Sequence, residues 1–576
     1  MITGAELFVK ALKAEQTNVL FAYPGGQTID LFNALFDVQN MDIILPRHEQ
    51  GLIHAADGYA RSTGKTGVCL VTSGPGATNL VTGIATANSD SVPLVCFTGQ
   101  VSTRLIGNDA FQEVDTVGIV RNICKYAVTV RSRESLGEII RKAFHIAGTG
   151  RPGVVVVDLP KDIQQAYGSD VYPEKIEIRG YKPVASVHIG QIKKALEILN
   201  QAKRPLFLIG GGVNISRAQA EMRRLAEKTG IPVVTTIMGK GAVPSDHKLY
   251  VGNLGIHGSA AANSAVSQCD VLFSIGTRFN DRITGKIEEF APNAVIIHVD
   301  IDSASISRNI AVSIPIVADA KSAILALTER AVRLNIPEWT ALIDDWKKRW
   351  PITTEGTGIT PEKIMKAVNR IFKKAVIATD VGQNQLWATQ FLELNEQKRL
   401  LTSGGQGTMG FGLPAGIGAK IGNPETDVIV ITGDGGMQMN IQELATAMVY
   451  ELPVIICILN NGYLGNVRQW QEMFFDKRYS CVCMRRRRTC PSSCSAPGSN
   501  CPEYIPDFIK MAESYGAEGI RVTAPEDIEP ALTRAQSSRK TPVIIEFLIG
   551  RETDVLPIVP PGGTLSDMIL EMEEKK

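Results

Sequence analysis

The sequence predicts an α/β protein of three doubly wound parallel-sheet units, on the strength of three observations. The chain has 576 residues, too many for one hydrophobic core and enough for three or four. Short apolar, β-branched runs recur along its whole length: Val68 to Thr72, Val154 to Asp158, Leu206 to Ile209, Val271 to Ile275, Val295 to Val299, Val428 to Thr432, Val454 to Leu459 and Val543 to Phe547. Most are apolar throughout rather than alternating, and most stop at Gly, Asp or Asn before a helical pattern, as parallel strands covered on both faces do. Ligands of such sheets bind beyond the carboxyl ends of the strands, so the residues that follow each run are the candidates for chemistry.

Two stretches break this rhythm: Gln165 to Ser186, polar with scattered Tyr and Pro, and Arg333 to Thr360, which holds Trp339, Trp346 and Trp350. Both read as linkers. They divide the chain into units of residues 1–164, 187–334 and 358–576. The segment Thr66 to Ser89 carries no charge but is rich in Gly, Ser, Thr and Asn, so it reads as buried strand, turn and helix instead of a membrane span.

Hydrophobic residues make up 44% of the chain and charged residues 21%, the balance of an ordinary globular protein. Lys and Arg number 60 against 59 Asp and Glu. That parity supplies no field for nucleic acid or an anionic membrane, so small molecules are the expected ligands. The start MITGAELFVKALKAEQ has neither a signal-peptide core nor an Arg/Ser-rich arm, and a cytoplasmic location is expected. Cys69, Cys96, Cys124, Cys269 and Cys457 lie in apolar runs, where a thiol packs as a small hydrophobe. Cys481, Cys483, Cys490, Cys494 and Cys501 instead crowd around Arg485 to Arg488. A thiol or disulfide loop and a zinc or iron–sulfur site both remain open for them.

The strongest chemical signal follows the run VIVIT as Gly433-Asp434-Gly435-Gly436 and ends after the run VIICIL as Asn460-Asn461. A carboxylate at one strand end and an amide at the next, joined through Gly-rich backbone, make an oxygen-rich corner suited to Mg²⁺ and, through it, a diphosphate. This pairing resembles the cofactor motif of the thiamine-diphosphate enzymes. The resemblance implies Asp434, Asn461 and the carbonyl of Tyr463 as metal ligands, with Leu464 and Gly465 beside the cofactor.

Two further segments are similar to that family. Pro46-Arg47-His48-Glu49-Gln50 precedes a helical stretch, and the resemblance makes Glu49 the acid that hydrogen-bonds the cofactor's aminopyrimidine. Burial favours a carboxyl that can share a proton with a ring nitrogen. Asp380-Val381-Gly382-Gln383 and Gly404 to Gly412 supply Gly-rich backbone that can approach phosphate oxygens. There Val381, Gly382, Gln383, Asn384 and Gly407 are expected on the cofactor and Met409 beneath it. The family holds its cofactor between the first unit of one subunit and the third of another, which implies a dimer or tetramer.

Ile106 to Glu113, Pro160 to Gln164 and Val467 to Trp470 narrow the resemblance to the acetolactate synthases. These decarboxylate pyruvate and condense the hydroxyethyl-enamine with a second pyruvate or 2-ketobutyrate, a step of isoleucine and valine synthesis. Gln112 and Lys161 are then catalytic candidates, Phe111 stands at the substrate entrance, Trp470 selects the second keto acid by size, and Arg282 grips its carboxylate with a planar fork. The middle unit resembles the flavin-containing members and implies a structural FAD. Its expected contacts are Arg151, Gly210, Gly211, Gly212, Gly255, His257, Gly276, Arg278, Asp281, Arg282, Asp300 and Ile301. A small regulatory subunit is also implied. Asn384 and Asn466 depart from the family's usual His and Met. Another thiamine-diphosphate decarboxylase, carboligase or oxidase is the alternative, and a cofactor-binding scaffold without activity is the alternative of a different class.

Overall fold

The computed structural model describes residues 1–183, 186–354, 356–491, 494 and 501–571. Each of the eight apolar runs is a strand, and each lies in one of three six-stranded sheets whose internal pairings are all parallel. The first sheet uses strands Val19–Ala22, Asp42–Ile44, Gly67–Val71, Leu94–Gln100, Tyr126–Thr129 and Val154–Pro160. The third uses Ala375–Thr379, Lys398–Leu401, Asp427–Gly433, Val454–Asn460, Glu518–Val522 and Val543–Leu548. Numbered within each sheet, both have the order 2-1-3-4-6-5. The middle sheet runs from Pro205–Ile209 to Ile314–Val317 in the order 3-2-1-4-5-6, that of a dinucleotide-binding fold.

Thr66 to Ser89 folds as expected, into the strand Gly67–Val71 and the helices Pro75–Thr78 and Val81–Ser89. Among the described residues, no helix is long and apolar enough to cross a membrane.

The linker readings need correction. In the second stretch, Pro337–Arg349 is a helix. Its buried Trp339, Ile343 and Trp346 pack on the middle sheet's core, because their spacing of four and three residues puts them on one helical face. In the first stretch, Tyr167–Gly168 pairs antiparallel with Ile2–Thr3, while Tyr172, Ile178 and Tyr181 pack on the first core. The end of the chain also returns to the middle unit. Val559 and Leu565 join its core, Val559 donates its N–H to Ile256 O, and Lys286 donates to Gly563 O.

The first and third units meet through helices Glu49–Thr63 and Gly412–Gly422. A Cβ on Gly58 would stand 2.0 Å from Ala415 O, and one on Gly418 would stand 1.8 Å from Ala55 O. Only hydrogen fits at that crossing. Gly418→Ala is therefore expected to lower stability by about 1–3 kcal/mol, read as a lower urea midpoint with unchanged slope.

His54 lies on the same helix, fully buried edge-to-face against Phe411, with neither ring nitrogen hydrogen-bonded. Burial drives its imidazole down to about 3. An unfolded histidine takes up its proton near 6.5, so the native state loses stability as pH falls from there toward 3. His54→Leu should remove one proton from that uptake. The stability of the parent, minus that of the variant, should fall by about 1.4 kcal/mol per pH unit within this window. Urea titrations at pH 6 and pH 5 measure the difference.

Candidate active site

Two clusters form at the carboxyl ends of the first and third sheets. In the first unit, Glu49 opens the helix Glu49–Thr63, capped by His48 Nδ1, which accepts the N–H of Gln50 at 3.0 Å. Asn79 Nδ2 donates to Glu49 Oε2 at 2.9 Å. Lys161 follows the strand Val154–Pro160 and donates its ammonium to Gly26 O at 2.9 Å. Gln112 lies against Gly74 and adopts φ 59°, a left-handed backbone uncommon outside glycine and of the kind that collects at functional sites.

Glu49 is half-buried rather than buried in the single chain. Phe111, 84% exposed, leaves an aromatic ring in water.

In the third unit the Gly-rich turns bring the remaining candidates together. Asp434 follows Asp427–Gly433, and Asn461 follows the neighbouring strand Val454–Asn460. Asn461 Nδ2 donates to Gln383 Oε1 at 3.1 Å, and its Oδ1 accepts the N–H of Tyr463 at 3.1 Å. A Cβ on Gly435 would meet Leu464, Met484 and Met409. One on Gly465 would meet Gln383 and Asn461, one on Gly433 would meet Asn384, and one on Gly407 would meet Val381. The backbone is thus bare where these side chains converge.

Gly436 packs against Asp380. The buried carboxylate of Asp380 accepts N–H groups from Val381, Gly410 and Gly412, which fixes the loop carrying Met409.

Asp434 is 1% exposed, and its Oδ2 has no hydrogen-bond partner. Burial pushes its carboxyl up to about 7. A buried anionic oxygen without a partner is costly unless a cation sits on it, so this corner fits a hard divalent metal. Asn384 Oδ1 and Asn466 Oδ1 are also buried without partners. The helix Gly465–Phe474 that follows is held by buried side-chain bonds. Arg468 pairs with Glu472 and Asp554, while Gln469 bridges Gln383 Nε2 and the backbone of Val555. Trp470 packs edge-to-face on Phe474, and its indole N–H is buried without an acceptor.

A third feature is a cavity of about 1280 Å³ at the junction of all three units. Gly210, Gly211, Gly212, Gly276, Arg278, Arg282, Asp300 and Ile301 line it from the middle unit, and Arg151 from the first. A Cβ on Gly212 would stand 2.7 Å from Gly276 Cα, so these two turns press backbone against backbone. That is the cradle a dinucleotide needs, and its size suits one. Gly255, His257 and Asp281 lie outside its walls: Gly255 packs behind Arg282, His257 Nδ1 faces Pro557 O at 3.3 Å, and Asp281 pairs with Arg282 at 3.5 Å. Sequence reasoning missed the cavity's contributions from Arg61 and Asp90, which form an ion pair at 3.0 Å, and from the buried Lys240.

Cys481, Cys483, Cys490 and Cys494 are free thiols. Among the described residues no three His, Cys, Asp or Glu side chains converge as a metal's ligands would. The loop does touch the site, since Val482 O accepts the N–H of Leu464 at 2.9 Å and Met484 donates to Gly462 O at 3.0 Å. Cys69, Cys96, Cys269 and Cys457 are buried and Cys124 is partly so, as apolar packing requires.

Comparison with known proteins places these features in one lineage. Residues 2–119 match the N-terminal TPP binding domain of thiamine pyrophosphate enzymes, residues 192–327 their central domain and residues 380–547 their C-terminal TPP binding domain. A probable acetolactate synthase large subunit of Methanocaldococcus jannaschii is 46% identical over 98% of this chain and 95% of its own. The acetolactate synthase large subunit of Haemophilus influenzae is 42% identical over 100% and 99%. The isozyme 3 large subunit of Escherichia coli is 41% identical over the whole of both. Identity at this level along the full length means that the chain belongs to the acetolactate synthase large-subunit family of thiamine pyrophosphate enzymes.

Proposed function

We propose that the chain decarboxylates pyruvate and joins the two-carbon remainder to a second pyruvate or 2-ketobutyrate, releasing 2-acetolactate or 2-aceto-2-hydroxybutyrate. The observation that carries this reading is the meeting of Asp434, its buried oxygen lacking a partner, with Asn461, Gln383 and Met409 at adjoining strand ends. Thiamine diphosphate supplies the nucleophilic carbon and the electron sink there. Asp434, Asn461 and the carbonyl of Tyr463 hold Mg²⁺, and the Asn384 amide donates to a phosphate oxygen. Glu49 holds the proton at the aminopyrimidine. Gln112 and Lys161 face the keto acid with Phe111 beside them, Trp470 bounds the second substrate, and Arg282 binds its carboxylate.

Among the described residues no hydrogen bond joins Glu49, Gln112 or Lys161 to Asp434, Asn461 or Gln383. A second copy of the chain completes the site by covering the surface around Phe111, so the working form is a dimer or a larger homo-oligomer. FAD occupies the three-unit cavity as a structural ligand, since keto-acid condensation has no redox step. A small regulatory subunit and a cytoplasmic location accompany this role.

The test is product analysis with pyruvate and 2-ketobutyrate in competition, with thiamine diphosphate, Mg²⁺ and FAD each present or omitted. Acetohydroxy acids that need all three support the reading. Acetaldehyde or an acetyl product in their place would overturn it.

A further inference from the structure

The geometry points to Glu443 as the residue that sets the position of Glu49, an inference that rests on the reading of Glu49 above. Glu443 opens the helix Glu443–Val449 of the third unit and is 1% exposed. Its Oε1 accepts the N–H of Arg47 and of His48, each at 3.1 Å, and its Oε2 accepts from Arg47 N–H at 3.1 Å and from the Thr446 hydroxyl at 2.6 Å. Arg47 and His48 are the two residues immediately before Glu49. A Cβ on Gly51 would stand 2.3 Å from Oε1, so glycine is what admits the carboxylate this close.

Tyr450, at the end of the same helix, takes hold of the residues just upstream. Its hydroxyl accepts the N–H of Leu45 at 2.8 Å and donates to Ile43 O at 3.2 Å. One short helix of the third unit therefore grips the lead-in from Ile43 to His48 at four backbone groups.

The physical case is that backbone donors at a helix entrance have no partners within the helix and sit at its positive end. A carboxylate meets both needs with charge-assisted bonds. Glutamine in its place keeps one acceptor oxygen but turns an NH₂ group toward donors. The entrance then loosens, and the Glu49 carboxyl loses its fixed place. Glu443 is thus a positioning residue, acting through Glu49 and touching no substrate.

The test uses the full chain and the variants Glu443→Gln, Glu49→Gln and the pair of them. Three readouts apply: exchange of the cofactor's thiazolium proton, kcat and KM for pyruvate, and amide hydrogen exchange of residues 45–52 without cofactor. Glu443→Gln should lower proton exchange and kcat about tenfold, the size of one lost charged hydrogen bond, with little change in KM and faster amide exchange. In the Glu49→Gln background it should cost nothing more, because two residues acting through one group are not additive.

Unchanged proton exchange in Glu443→Gln overturns the inference, as does an equal further loss in the double variant. If Glu49→Gln itself keeps the parent exchange rate, the reading of Glu49 fails and takes the inference with it. Should Glu443→Gln not fold, Tyr450→Phe removes the neighbouring grip and is expected to slow proton exchange in the same direction, and a parent-like rate there overturns the inference.

Discussion

Glu49→Gln is expected to lower turnover by about 10²–10⁴-fold, the usual worth of a positioned general acid–base group. The amide keeps the shape and the hydrogen bond from Asn79 but cannot take or give the proton. The loss should therefore fall on kcat, with KM for pyruvate and affinity for thiamine diphosphate close to those of the parent. Acid-quenched measurement of thiazolium proton exchange separates this from misfolding, because exchange must slow in step with turnover. A variant that retains both rates would remove Glu49 from the chemistry.

Asp434→Asn is expected to have effects of opposite sign on binding and on stability. Its lone-pair oxygen is the only charged ligand proposed for the metal, so Mg²⁺-dependent binding of thiamine diphosphate should be lost, as read by titration calorimetry with and without Mg²⁺. The cofactor-free chain should become more stable at pH 8. Burial raises the folded carboxyl from 3.8 to about 7, so its contribution to stability is intact below 3.8 and lost as pH rises through 7. Above that pH the parent holds a charged oxygen with no partner, which costs about 1–3 kcal/mol or more. Denaturant midpoints at pH 8 should rise in the variant, and the gap between the two should close as pH falls to about 4. A destabilised variant at pH 8 would mean that Asp434 has a structural partner instead of a metal.

Most of the architecture was legible because its parallel strands are buried on both faces, and burial writes itself as continuous runs such as Val454 to Leu459. The short strands Asp42–Ile44 and Val233–Thr235 left no such mark, since three residues do not establish a period. The helix Pro337–Arg349 was missed for the opposite reason: its Trp339, Ile343 and Trp346 spacing is regular, but its charged face resembles a linker. Asp434 and Asn461 were legible because both follow a recognisable strand. Glu443 was not. Its partners are the backbone N–H groups of Arg47 and His48, 396 and 395 residues away, and a backbone donor has no letter in the sequence. The one available signal was a lone carboxylate at the head of the otherwise uncharged helix ELATAMV.

The first and last sheets share one strand order, and on the proposed reading the first unit presents the acid and the last the metal corner. Two dead chains can then cure each other. When Glu49→Gln and Asp434→Asn chains are unfolded together and allowed to re-pair, half of the random twofold pairs are hybrids. Each hybrid gathers both lesions at one of its two sites and leaves the other site whole, so roughly a quarter of the parent turnover returns. A mixture that stays silent would locate both halves of the chemistry within a single polypeptide.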